Sequence, residues 1–445
     1  MINHNRKGFL CPIFTLIVFC SLLVAPTFAE ELPPPGKPLT LEQCTQIALK
    51  YHPSLRANQA FVEASKARVE QALASYYPQV NLNGSYDTAT NNFIPIGGTV
   101  AVSRSAHNWT FFDIFTSGLS LNQNLYDFGR TSNTVKINRE NVKAAEEDYF
   151  TTKQTVVLNV QQAYFGVLQN IRLVKVAEDT INQVKQHLEQ ARGFYQAGTR
   201  SKIDVTKAEV DLANAELALI TVRNNYQVAR VTLNNAMGLK ESLAFAIEDS
   251  LGFKPRPIAM EEILKLAYEK RPEILQLQAR QRAQDATIKL AQSSYYPVLS
   301  GNANALYRGE DVNDLYWDMS FGVTVSIPLF SGYSTPNQIA EARANMRNLL
   351  AQEENLKLSI RLEAEQAYLN LQQAAESIRV SEKALTQAQE NYDLASGRYQ
   401  VGVGSPLEIT DAEVSLAQAR ANNIQGLYNY KIAEAQIDKA MGLHR

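Results

Sequence analysis

Three carboxylates follow two glycine–serine turns in this 445-residue chain. Ser201-Lys202-Ile203-Asp204 and Ser405-Pro406-Leu407-Glu408 both read Ser-x-x-acid. That spacing suits a helix start, where the serine accepts a backbone N–H and the acid reaches back to cap the first turn. An acid there also suits the helix dipole. Asp411, one turn deeper, has no capping role, and the residue matching it in the other turn is Lys207. Gly198 and Gly402, just before the serines, suit helix C-termini at positive φ, and Pro406 suits a first helical position. Catalytic chemistry is not in view. His4, His52, His107, His187 and His444 are scattered, and no His-Glu-x-x-His, Cys-x-x-Cys, Walker A or dinucleotide fingerprint occurs. Neither a cofactor nor a metal site is expected.

The turns recur because the chain is a tandem duplication. Residues 41–78 match 260–297 at an offset of 219, with 12 identities in 38 positions. Residues 191–213 match 395–417 at an offset of 204, with 12 identities in 23. A period near 200 is far beyond the roughly 20–50 residues of a solenoid unit, so each copy is half of one structure. The first repeat covers 30–238, a linking segment 239–258, and the second repeat 259–445.

Residues 1–29 read as a secretory signal peptide. Arg6 and Lys7 precede an apolar stretch from Phe9 to Val24, and Thr27-Phe28-Ala29 is a small-residue cleavage site. The mature chain keeps only Cys44, which excludes an intramolecular disulfide. A net charge of −2 gives no footprint for nucleic acid.

Each half switches periodicity. Thr40 to Lys50 and Ser54 to about residue 76 read as helices, and Glu30 to Pro38 as an extended linker. Then Val80, Leu82, Gly84 and Tyr86 alternate with polar residues, as do Phe115, Leu119, Leu121 and Leu125. In the second half Met319, Phe321, Val323, Val325, Ile327 and Leu329 share one face. Such two-faced strands of about ten residues fit a tilted bilayer crossing. Aromatic residues gather at their ends: Tyr76, Tyr77, Trp109, Phe111, Phe112, Tyr295, Tyr296, Tyr316 and Trp317. The loop near 88–110 is the longer one, marked by Asn91, Asn92, Gly97 and Gly98. A proline-free run from Arg130 to Gln196 follows, repeated from Pro336 to about Gln400. As helix, 67 residues would span about 100 Å. The returning helices near 202–237 and 406–441 are shorter. Stacked end to end with the helix near 54–76, the first nearly equals its long partner. Four strands cannot close a barrel, so a membrane reading requires several copies, and three give twelve strands.

Two Tyr-x-x-Gly-x-x-Ser tips, a Leu-Tyr/Phe-Asp/Ser turn from strand to long helix, and the duplication together resemble the TolC-type outer-membrane efflux proteins over the whole mature chain. The resemblance implies a mainly α fold with a small membrane β part. Long helical hairpins would form a periplasmic α-barrel, and two β-hairpins per chain would join a shared 12-stranded trimeric barrel in outer-membrane lipid. It implies an exit duct of a tripartite efflux or type I secretion system, working with a periplasmic adaptor and an inner-membrane transporter. The tips Gly198, Thr199, Arg200, Ser201, Gly402, Val403 and Ser405 would meet the adaptor. Thr199-Arg200 departs from the usual apolar tip. Asp204, Tyr399, Glu408 and Asp411 would line the periplasmic constriction, where a threefold ring of carboxylates favours cations. The rival reading is a secreted coiled-coil scaffold without a pore.

Overall fold

The computed structural model describes residues 38–90, 93–96, 99–102, 111–240 and 245–443. The signal peptide, most of the proline-rich linker, Asn91, Asn92, Gly97, Gly98, Trp109 and the side chain of Phe112 lie outside them. Each half begins with two short helices, α1 (Leu41–Tyr51) and α2 (Pro53–Leu73), and α5 (Met260–Lys270) and α6 (Pro272–Ser293). A capping box starts α1: Thr40 Oγ1 accepts from Gln43 N–H at 3.2 Å, and Gln43 Oε1 accepts from Thr40 N–H at 3.0 Å. Proline opens both α2 and α6, where its missing N–H costs nothing.

The main sheet runs β1 (Gln79–Thr90), β4 (Phe111–Tyr126), β5 (Val298–Asp311), β6 (Asp314–Ser326), all antiparallel. These strands hold 12, 16, 14 and 13 residues, more than the ten expected. β6 stops before Ile327 and Leu329, because Pro328 has no N–H to extend the ladder. The segment read as plain loop also carries a small ribbon, β2 (Phe93–Ile96) paired with β3 (Thr99–Val102).

The register sorts the faces. Val80 lies opposite Leu121, Leu82 opposite Leu119, and Tyr86 opposite Phe115. Leu299, Ala303 and Ala305 oppose Val325, Phe321 and Met319. The other face carries Asn81, Asn83, Ser120, Asn122, Asn302 and Asn304 at matched positions. There Asn83 Nδ2 donates to Ser120 Oγ at 2.9 Å, and Asn304 Nδ2 to Ser320 Oγ at 3.2 Å. No described element covers the apolar face: Phe321 and Val323 are 77% and 66% exposed.

The second strand of each hairpin continues into a long helix. β4 enters α3 (Arg130–Gln196) through Phe128 and Gly129, both at positive φ. The Asp127 carboxylate accepts from Gly129 N–H at 3.1 Å and Thr131 N–H at 2.7 Å. β6 enters α7 (Ser334–Gln400) through Gly332 and Tyr333, and Ser331 Oγ accepts from Thr335 N–H at 3.4 Å. The Asp/Ser of the strand-to-helix motif is therefore a cap across a left-handed corner.

The returning helices are α4 (Lys202–Ala236) and α8 (Pro406–Ala440). Gly238, past the end of α4, lies so close to α2 that a Cβ there would sit 2.7 Å from His52 Cα. Gly442, past α8, would meet the Lys270 carbonyl carbon at 2.9 Å. Short helices thus stack into columns beside the long ones. The lateral order is α2, α3, α6, α7 near the sheet and α4, α3, α8, α7 toward the tips. Strand order β1, β4, β5, β6 repeats that sequence of columns.

The packed core sits midway. Tyr164, Val160 and Leu168 of α3 bury against Leu39, Cys44, Ala48 and Leu233. Ala367, Leu371 and Ile378 of α7 bury against Ile263 and Ile437. Residues 245–258, from the segment linking the halves, lie over this level. Leu39 pairs with Ile247, and the Tyr164 hydroxyl donates to Glu248 O at 2.7 Å. The Tyr430 hydroxyl donates to Lys254 O at 2.8 Å.

Candidate functional site at the helical tips

Both long helices end in the same backbone device. Gly198 (φ +72°) closes α3, with Thr199 N–H donating to Phe194 O at 3.0 Å and Gly198 N–H to Tyr195 O at 2.9 Å. Gly402 (φ +82°) closes α7, with Val403 N–H donating to Arg398 O at 3.1 Å and Gly402 N–H to Tyr399 O at 3.0 Å. The paired bonds satisfy carbonyls that a helix end orphans, and glycine adopts the required φ without a Cβ penalty.

The two helix starts differ. Ser405 Oγ accepts from Leu407 N–H at 3.2 Å, whereas Ser201 sits at the N-cap position without a side-chain cap bond. The capping box expected at Ser405 does not form, because Glu408 turns instead to Arg398, with Oε2 3.3 Å from Nε. Glu408 and Asp411 are exposed, and Asp204 is half-buried.

The first tip reaches the second through Arg200. Its Nη2 donates to Gly404 O at 2.6 Å and Gly402 O at 3.2 Å, and its guanidinium lies 5.8 Å from the Tyr399 ring centroid. The departure from an apolar tip has a physical reason here: a cation joins the two hairpins of one chain. Removing it by Arg200→Ala should cost the tip about 1–2 kcal/mol, since charge-assisted hydrogen bonds are stronger than neutral ones. Faster amide exchange confined to 197–204 and 400–406 would show it.

Tyr399 is fully buried. Its ring meets His187 edge-on at 4.8 Å and Phe194 at 5.6 Å. Burial pushes its phenol up, Asp204 adds to the shift, and Arg200 opposes it. Within one chain Tyr399 thus packs the tip rather than presenting its ring to open space. Sequence reasoning missed its neighbours His187 and Glu413. The available signal was position 187 lying among Ile181, Val184, Leu188 and Ala191, a buried stripe at helical spacing. Around the tips Val403, Val401, Leu407 and Ile203 stand exposed, forming an apolar rim.

Two-faced strands mounted on a layer of 67-residue helices define a membrane-inserted duct subunit, and comparison with known proteins agrees. The family model described as "Outer membrane efflux protein" matches residues 44–239 and 263–443. The chain belongs to that family. It is 25% identical over 415 residues to the outer membrane protein TolC of Salmonella enteritidis, covering 90% of this chain and 82% of TolC. It is 26% identical over 420 residues to the cation efflux system protein CusC of Escherichia coli K12, covering 89% and 84% of the two chains. A crystal structure of CusC shares the fold at a TM-score of 0.78, with 21% identity over 91% of this chain and 92% of that one. The protein is an outer-membrane efflux channel with its helical part in the periplasm, and its relatives are channels, not enzymes.

Proposed function

We propose that three copies close one tube, which carries efflux cargo from the periplasmic tips to the exterior. The observation that carries this is the uncovered sheet. Among the described residues nothing covers its apolar face, and its edge strands β1 and β6 each leave backbone groups unpaired. In lipid each unpaired group costs several kcal/mol, so β6 must meet β1 of a neighbour. The helices repeat the problem at the same edges. α4 exposes Val210, Leu217 and Ile220, and α7 exposes Leu358, Leu362 and Leu369. An α2/α4 edge set against α7 of the next copy is a head-to-tail contact that closes into a ring.

The lumen is the face opposite residues 245–258. Tyr164 points toward that segment, so Gln162, Gly166 and Gln169, about half a turn away, point inward. Amides dominate there: Asn159, Gln162, Gln169, Asn225 and Asn235 line one hollow, and Gln169 Nε2 donates to Gln425 Oε1 at 2.6 Å. Such a lining suits hydrated passage.

At the tips the apolar rim around Val403 and Leu407 is the docking surface for a periplasmic adaptor, which links the duct to an inner-membrane transporter. Asp204, Glu408 and Asp411 form the acidic constriction, with Tyr399 bracing it from within. Asp411 is the strongest gate residue, because it is exposed and has no capping duty. Asp411→Ala is expected to raise the conductance of the closed channel in planar bilayers severalfold. Unchanged conductance would remove Asp411 from the gate. The ring itself is tested by native mass of protein extracted in detergent from the outer-membrane fraction. A trimer supports it, and a monomer released by alkali without detergent favours the scaffold.

A further inference from the structure

We propose that His187 of α3 and Glu413 of α8, sealed beside the Tyr399 ring, form a proton-holding latch that keeps the two helical hairpins of one protomer together above the tips. Its role in holding the passage shut rests on the channel reading above; the latch itself rests on the geometry within one chain.

His187 and Glu413 belong to different repeats and are each only 3% exposed. His187 Nδ1 lies 3.9 Å from Glu413 Oε2, too far for a hydrogen bond. Both imidazole nitrogens, Glu413 Oε1 and the Tyr399 hydroxyl are closed off from solvent and make no hydrogen bond. Four orphaned polar atoms on His187 and the two residues beside it are unusual, because each buried group without a partner costs about 1–3 kcal/mol. A cluster like this persists at functional sites more than in ordinary packing.

Charged or titratable groups face the pair from the helices packed around it. Asp204, Lys207 and Asp211 face it from α4, and Tyr392 and Tyr399 from α7. Arg420 of α8 faces Tyr392, and Arg200 stacks on Tyr399. Thr410 Oγ1 of α8 is 3.3 Å from Asp211 Oδ2 of α4, a second contact between the two hairpins.

These surroundings favour a neutral pair. Burial lowers the His187 imidazolium pKa, with Lys207 lowering it further and Asp211 and Asp204 opposing. Burial, with the Asp211 charge adding to it, raises the Glu413 carboxyl to about 7. Below that value Glu413 keeps its proton, and a small approach lets the carboxyl O–H donate to the imidazole. Above it the proton leaves to solvent, and a bare carboxylate remains against a neutral imidazole. Glu413 has a raised pKa in the folded state, so its contribution is present at low pH and lost as pH rises through about 7. Alkaline conditions should therefore loosen α8 from α3.

The test uses the full-length detergent-extracted protein. Amide exchange at 184–190 and 406–420 is compared at pH 6 and pH 8.5, after correction for intrinsic chemistry. Exchange in the unaltered protein should be up to about tenfold faster at pH 8.5 than at pH 6, with the rise levelling off above about 7, where Glu413 has already lost its proton. Glu413→Gln should remain slow at both pH values. If that variant does not assemble, His187→Leu serves instead, and it should move the midpoint upward by deepening the apolar surroundings of Glu413. A flat response in the unaltered protein, or an equal rise in Glu413→Gln, overturns the latch. Bilayer conductance is recorded alongside. A parallel rise with pH supports control of the passage, and faster exchange with flat conductance overturns that part. Were the native mass to show a monomer, the channel reading would fall and the exchange comparison would still decide the latch.

Discussion

Gly118→Val is expected to abolish the assembled protein, whereas Gly84→Val leaves it intact. Gly118 lies on the polar face of β4, opposite Asn83 on one side and Leu306 on the other. A Cβ there would sit 2.2 Å from Ala305 O and 2.8 Å from Leu306 Cδ2. Backbone cannot retreat without unpairing β4 from β5, and that pairing alone joins the two hairpins in the sheet. Overpacking at a yielding site costs about 1–3 kcal/mol, and a clash with neighbouring main chain costs more. Gly84 lies on the apolar face of β1 with nothing within 4 Å of its Cβ position, so an added valine only extends that face. Outer-membrane yield and native mass compare the two variants. Equal assembly would mean that the hairpins do not need this register.

Arg271→Ala should unfold the middle of the second repeat. Arg271 joins α5 to α6 and is 4% exposed. Its Nη2 donates to Glu273 Oε1 at 2.8 Å, and its Nη1 to Glu363 Oε2 at 2.6 Å, linking α6 to α7. Removing one partner of a buried ion pair costs about 3–5 kcal/mol, because the other charge is stranded. Glu363 is half-exposed, so its share stays below about 1 kcal/mol. Most of the loss comes from Glu273. Burial alone would raise the Glu273 carboxyl, but the Arg271 hydrogen bond and charge outweigh it and hold it below its ordinary 4.5. Stability from a lowered carboxyl is present above that ordinary value and drains as pH falls through the native one. The unaltered protein should therefore lose stability in acid, and Arg271→Ala should be weaker at neutral pH with a shallower acid limb. Thermal unfolding from pH 3 to 7 measures both.

Much of the architecture was legible because it depends on local rules. Alternation at Met319–Val325 gave a two-faced strand, and the proline-free run from Arg130 gave the 67-residue helix. Positions 198 and 402 were readable as glycine turns for the same reason. What escaped depends on partners distant in sequence. Nothing in Gly198-Thr199-Arg200 says that its guanidinium will find carbonyls about 200 residues on. Nothing around Glu408 says that Arg398 will draw it from its capping duty. Tyr399 could be placed at the tip but not turned inward, because its neighbours His187 and Phe194 come from the other repeat. The β2–β3 ribbon was hidden by Pro95 within β2, a residue that argues against a strand except at an edge.

Duplication gives the proposed ring two kinds of seam. A tube of six equal halves would open every joint or none, since identical joints share one free energy. Tandem fusion makes three joints internal and three external, and it frees them to diverge. At the internal joint the chain sets His187 against Glu413; their counterparts in the repeat are Asn391 and Glu209. The sites related by the old symmetry no longer carry the same chemistry. An aperture built this way can loosen three hinges while the other three hold, widening as an iris rather than falling apart as a ring.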